Sequence, residues 1–169
     1  DFIVLTDPQY WAYKHIDGIK SPSSILITES AVYPSVFRFL CKKIICCKSN
    51  FPLEHYFDSF RSEKGTLVAG GSVASTAWNF AQYAGASEIY VAGLDLAFVN
   101  KQTHIKGSTF EQATHTTTKR IATAETSNMP ILFSGNACYE KNYKQENVLT
   151  DQRMKMFAWW FESRLEQFP

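Results

Sequence analysis

No apolar run in the sequence is long enough to span a membrane, and no signal-peptide pattern stands in it. It also lacks G-x-G-x-x-G, a Walker A sequence, H-E-x-x-H and G-x-S-x-G. The ordinary dinucleotide, P-loop, zincin and hydrolase readings therefore have no support. The four cysteines, Cys41, Cys46, Cys47 and Cys138, form no C-x-x-C pair, and no histidine lies at metal-ligand spacing from them. Cys46 and Cys47 sit inside the apolar run 44–47, so buried free thiols in a reducing compartment, the cytoplasm, are expected. Excess charge of one sign is missing too. A net charge of +1 gives no reason to expect nucleic acid or a membrane surface as the main partner. No internal repeat is present.

What remains is ordinary globular material. The 169 residues, 45% apolar and 20% charged, suffice for one domain with a sizeable core, taken here as residues 1–169. Aromatic residues reach 15% and cluster near positions 10–13, 33–39, 51–60 and 157–161, which marks most of them as core. Residues 1–6 (DFIVLT) enter directly as a strand, which predicts a fragment of a longer chain lacking a preceding strand and helix.

The stretch 65–104 organises the rest. Residues 67–69 read as a strand running into Gly70, Gly71 and Ser72, where glycine permits a tight turn. Ser72 can cap a helix whose apolar residues Val73, Ala77, Phe80, Ala81 and Ala84 recur three and four apart, and Gly85 stops it. Residues 88–93 (EIYVAG) then read as a buried strand ending in Leu94 and Asp95. A glycine turn opening a helix is a ready anion site, and ligands gather at the carboxyl ends of strands in open α/β sheets. Two readings stand at Gly70, Gly71, Ser72 and Asp95: a ligand pocket, or a structural turn with a helix-capping aspartate.

Along the chain, residues 2–6 form a strand leading to Asp7-Pro8, with Asp7 either a plain N-cap or a ligand contact. Residues 21–24 read as a polar loop, 25–28 as a strand, and Glu29-Ser30 leaves it on the same sheet edge. Pro34 starts a helix, 42–47 is a strand, and 48–64 is a long excursion over the sheet. The polar loop 100–109 holds Thr103, His104, Lys106 and Ser108. There His104 is either a general base or acid or a solvated side chain, and Lys106 can meet phosphate. His115 lies in the Thr-rich stretch 114–118, whereas His15 and His55 read as structural. Residues 110–129 read as a lid or a poorly ordered crossover, 131–133 as a strand, 134–136 as a turn and 138–139 as a return strand. Thr150-Asp151 caps a closing helix of about 17 residues with Met154, Phe157, Trp160, Phe161 and Leu165 on one face. Alternating strands and helices predict an α/β fold, its sheet mostly parallel with helices on both faces.

The segments VAGGSVASTAWNFAQYAGASEIYVAGLDLAF and THIKGS resemble a superfamily of motility accessory factors and 6-hydroxymethylpterin diphosphokinases. The former transfer nonulosonic sugars onto flagellin. TDPQYW, ESAVYPSV and TDQRMKMFAWWFESRLE match the same pattern in the same order. G-G-S-V-A followed about twenty residues later by G-x-D-L-A is more specific than either motif alone. The resemblance implies a Rossmann-like fold, similar to bacterial sialyltransferases that use CMP-sugars. By position, Gly70, Gly71 and Ser72 would approach a nucleotide's phosphate or ribose, Asp7 and Thr103 would face the same pocket, and Asp95 would hold a hydroxyl. His104 would serve as general base. The family's earlier glycine–proline–serine motif does not occur here, so the chain is expected to hold half of the pocket.

The leading expectation is a transferase moving a nonulosonic sugar from a CMP-sugar to an acceptor such as flagellin, with no metal ligand and no further cofactor. The alternatives are Mg²⁺-dependent diphosphate transfer from ATP to a hydroxymethylpterin, with Asp7 and Asp95 holding the metal, and a non-catalytic nucleotide-binding module.

Overall fold

The computed structural model describes residues 1–49, 51–62 and 64–167. They fall into two compact units, 1–90 and 91–169, each described by itself.

In the first unit, strands β1 (Phe2–Leu5), β2 (Lys20–Glu29) and β3 (Leu40–Cys47) form a parallel sheet in the order β1-β2-β3. The register pairs Phe2 with Ile25 and Leu5 with Thr28, then Leu26 with Ile44 and Glu29 with Cys47. All three strands thus end on one edge, at Leu5, Glu29 and Cys47. Helix α1 (Tyr10–Lys14) makes the first crossover and a 3₁₀ turn, Pro34–Arg38, the second. The core is apolar: Leu5, Ala12, Ile16, Leu26, Val32 and Val36 are buried together. Thr28 is buried as well, and its hydroxyl is satisfied by donating to the Leu5 carbonyl at 2.6 Å.

Helix α2 (Pro52–Asp58) follows, then α3 (Val73–Tyr83), which packs on β1 with the Phe2 and Phe80 rings edge-on at 5.0 Å. Both ends of α3 are as expected. Ser72 Oγ accepts from the Ala74 N–H, and Gly85 at φ +85° closes a C-terminal motif in which Gly85 and Ala86 donate to Gln82 and Ala81.

The second unit contains α4 (Thr109–Thr117), α5 (Ala124–Phe133), an antiparallel hairpin of β4 (Cys138–Lys141) and β5 (Asn147–Thr150), and α6 (Gln152–Gln167). Its anchor is polar. Asp151, 0% exposed, accepts from the Met154 N–H at 2.9 Å and pairs with Arg153 at 2.6 Å.

Several expectations are corrected. Residues 67–69 are not a strand; the sheet extension shrinks to one parallel bridge, Lys48 to Thr66, and the Val68 N–H is taken by Asn79 Oδ1 at 2.9 Å. Residues 88–93 are not a strand either. Tyr90 is 89% exposed and no neighbouring strand pairs with the segment among the described residues, so its β propensity finds no ladder. Asp7 does not cap α1. It accepts from the Gln9 N–H at 2.8 Å in a local turn, while the N-cap is Gln9, without a side-chain bond. Residues 21–24 belong to β2, across a register shift between Ser21 and Ile25. The helix starting at Pro34 is a 3₁₀ turn, and the excursion 48–64 contains α2. Residues 110–129 fall largely within α4 and α5, and 131–133 are helical because α5 continues through Pro130, whose carbonyl accepts from Ser134 at 2.9 Å. The architecture is a mixed α/β fold around a three-stranded parallel sheet. No helix among the described residues is long and apolar enough to cross a membrane.

The four cysteines are free thiols. Cys47 is buried and donates to the Thr28 carbonyl, and burial pushes its thiol up to about 11.

Candidate functional site

At the carboxyl edge of the first unit's sheet lies a pocket of about 260 Å³. Its walls come from four places: Thr6 and Asp7 after β1, Glu29 at the end of β2, Phe51 just before α2, and Ala69, Gly71, Ser72, Val73 and Thr76 at and before the start of α3. Parallel strands all point their carboxyl ends the same way, so the loops leaving them converge on one edge.

The turn into α3 is held from within. Gly71 adopts φ +86°, a conformation that glycine reaches without strain. Behind it, Ser75 is buried; its hydroxyl accepts from the Gly70 N–H at 2.8 Å and donates to the Ser72 carbonyl at 2.5 Å. The first-turn amides of a helix have no intrahelical acceptor, and the helix dipole is positive there. Ser72 Oγ takes one of them, that of Ala74.

Two carboxylates face this helix start. Burial raises the pKa of Glu29, a Ser49 hydrogen bond lowers it, and the nearby Glu54 charge raises it further, with a net upward shift. Asp7 and Glu29 both line the pocket that the turn lines, so their carboxyl oxygens are hard donors beside it. Among the described residues no group of three or more His, Cys, Asp or Glu is placed to hold a metal.

In the second unit Thr103 and His104 line a separate pocket of about 490 Å³. His104 stacks on Phe110 with ring centroids 4.5 Å apart, and its Nδ1 lies 3.1 Å from Thr103 Oγ1. Glu111, His115, Glu125 and Asn128 are among its other polar lining residues. Its rim is a run of unusual backbone, with Asn100 and Lys101 at φ +54° and +60°. Asp95 is exposed and precedes Leu96, at φ +50°, whose carbonyl accepts from Thr150 Oγ1 at 2.9 Å. The strand expected to carry Asp95 to a sheet edge does not form.

The structure thus joins Asp7, Gly71 and Ser72 in one pocket, with Gly70 tied behind it, and joins Thr103 with His104 in another. Sequence reasoning missed Ser75, Thr76 and Phe51 and gave Glu29 no role. Positions 75 and 76 were legible in principle, three and four residues after the capping Ser72 and so on the same helical turn.

Residues 1–101 match a family model described as 6-hydroxymethylpterin diphosphokinase MptE-like. An "Uncharacterized protein" of Treponema pallidum (strain Nichols) is 34% identical over 198 aligned positions, covering 99% of this chain and 50% of that protein. The chain therefore spans about half the length of this curated relative. No solved structure matches. The matched residues include the whole first unit, with its strand-edge pocket, and stop short of Thr103 and His104. With well over half of its length matched, the chain belongs to the 6-hydroxymethylpterin diphosphokinase MptE-like family.

Proposed function

We propose that the chain carries a nucleotide-dependent transferase domain of the diphosphokinase type, acting in the cytoplasm. One observation carries this: Asp7 and Glu29 share a pocket with the amino terminus of α3. A helix start favours phosphate oxygens, and two carboxylates suit a cation that accompanies those phosphates. Two protein carboxylates are enough for Mg²⁺, which commonly keeps several waters and takes its remaining ligands from substrate phosphates. Asp7 and Glu29 would hold the ion, which supplies charge neutralisation at the transferred group. Gly71, Ser72 and the Val73 amide would orient the phosphates, while Ser75 keeps the turn in shape. The family's description, which names a diphosphokinase, supports this choice over the other transferase chemistry. A Rossmann-like continuation of the sheet, with helices on both faces, belongs to the same proposal.

The second reading is glycosyl transfer from a CMP-sugar to a hydroxyl acceptor such as a flagellin side chain. His104 favours it: an imidazole beside Thr103 in a pocket can take a proton from an incoming hydroxyl near neutral pH. In that chemistry Asp95 would hold a sugar hydroxyl. A nucleotide-binding module without catalysis is the third outcome.

Calorimetric titration with ATP and with CMP, each with and without Mg²⁺, separates the two transfer readings, and turnover by the nucleotide-bound chain separates either from the third. Mg²⁺-dependent ATP binding is expected. Metal-independent CMP binding would replace it with the sugar-transferase reading, and binding of neither would overturn both. Gly71→Val is expected to abolish nucleotide binding, because a β-branched residue is strained at φ +86°. A folded variant with unchanged affinity would remove the turn from the pocket.

A further inference from the structure

We propose that a second chamber, next to the carboxylate pocket, binds the planar heteroaromatic ring of the substrate whose phosphates the pocket receives. This rests on the diphosphate-transfer reading above and adds to it a place for the ring.

The chamber, of about 550 Å³, lies in the first unit and is lined by Ser30, Phe51, Leu53, Glu54, Phe57 and Arg61, among others. Three seams join it to the carboxylate pocket. Phe51 lines both; Asp7 lines one and Pro8 the other; Glu29 lines one and Ser30 the other. The two therefore lie side by side near the ends of β1 and β2. One chamber carries two carboxylates and a helix start. The other is aromatic.

Its apolar lining is not ordinary core. Phe51, Leu53 and Phe57 stand 49%, 66% and 41% exposed, all on or beside the short helix α2. The Arg61 guanidinium lies 5.7 Å from the Phe57 ring centroid, so one aromatic face and one flat cation border the same space. A flat, electron-rich heterocycle stacks on both kinds of surface. Polar groups to read the ring's edge are present in Glu54 and Ser30. Glu54 is buried and paired with Lys64, which holds its carboxyl below the ordinary value and keeps it as an acceptor. A largely apolar pocket with a few convergent polar groups is the form small-molecule sites take. A ring joined to phosphates fits the order of the two surfaces.

The test is calorimetry on the full chain and on Phe57→Ala and Arg61→Gln, with Mg²⁺ present. Four probes are used: ATP, adenosine, 6-hydroxymethylpterin and inorganic triphosphate. Stacking on an aromatic side chain predicts an affinity loss of about 5- to 150-fold in Phe57→Ala for the ring that occupies the chamber. Arg61→Gln, an exposed change that leaves the core alone, is expected to lose about 2- to 5-fold. Triphosphate affinity should stay unchanged in both. Loss confined to ATP and adenosine identifies the ring as the nucleobase, and loss confined to hydroxymethylpterin identifies it as the acceptor's. Ring compounds that bind all three proteins equally, or bind none, overturn the proposal. Absence of triphosphate binding with the Phe57 effect intact would instead break the phosphate reading and leave the ring chamber standing.

Discussion

The two units of this chain reach stability by different chemistry. The first buries aliphatic side chains: Leu26 on β2 and Val36 on the 3₁₀ turn that follows it are both 0% exposed. The second buries fewer apolar side chains among the described residues, Phe98, Leu132 and Phe161, and adds a fully buried aspartate. Its fixed points are polar contacts between distant segments. Thr150 reaches the Leu96 carbonyl, the Phe98 N–H donates to Leu149, and Asp151 clamps the start of α6 beside Gly135. An apolar core tolerates shape changes by degrees, whereas a buried charge with assigned partners fails when any partner moves. The candidate pocket with carboxylates and a helix start sits on the apolar unit, at the ends of strands that the parallel sheet holds side by side.

Leu26→Ala tests the first half of that contrast and should have the largest effect. Deleting a fully buried leucine side chain costs about 2–5 kcal/mol through lost transfer energy and a residual cavity. Denaturant unfolding should show the loss, and hydrogen exchange should show it across β1, β2 and β3. A change near zero would mean that the sheet is not the unit's stabilising core. Gly135→Ala tests the second half. A Cβ at Gly135 would stand 2.2 Å from Asp151 Oδ2 and 2.6 Å from its Cγ. The carboxylate cannot swing away without leaving Arg153 and the Met154 N–H. Overpacking of this kind costs about 1–3 kcal/mol. Faster exchange at β4, β5 and the first turn of α6 is expected. An Ala variant as stable as the parent would show that the clamp has room.

The same contrast explains what could be read from the sequence. Elements specified by neighbours along the chain were legible. The register-setting runs of β1, β2 and β3, the Ser72 cap, the Gly85 stop and α6 with its Asp151 cap all carry their signals within a few residues. The segment 88–93 misled because a strand needs a partner elsewhere, and EIYVAG says nothing about whether one exists. Helices α4 and α5 were obscured by threonine-rich, weakly apolar faces and by Pro130. Only the caps Ser108, whose hydroxyl accepts from Glu111, and Thr123, whose hydroxyl accepts from Thr126, announced them. At the site, the turn residues and Asp7 were legible as motif positions. Phe51 and the exposed aromatics of α2 were not, because clustered aromatics in an aperiodic stretch read as core until their exposure is seen.

Acid titration gives the smallest expected effect and the most direct view of the clamp. Burial alone would raise the Asp151 carboxyl, but the Met154 N–H and the Arg153 guanidinium outweigh it, so its pKa lies below the ordinary value. A carboxylate depressed in the folded state stabilises the protein at any pH above its unfolded value, about 3.9. That stabilisation is lost as pH falls through the folded value, because the unfolded chain takes up its proton first. Asp151→Asn keeps the side chain's shape but not its charge, so the difference in unfolding free energy between parent and variant isolates this one group from other carboxylates. The difference should hold steady from pH 7 to about 5 and then shrink below about 4. A difference that stays flat down to pH 2 would mean that the clamp works through shape and hydrogen bonds rather than charge. The second unit would then resemble the first more closely than its buried aspartate suggests.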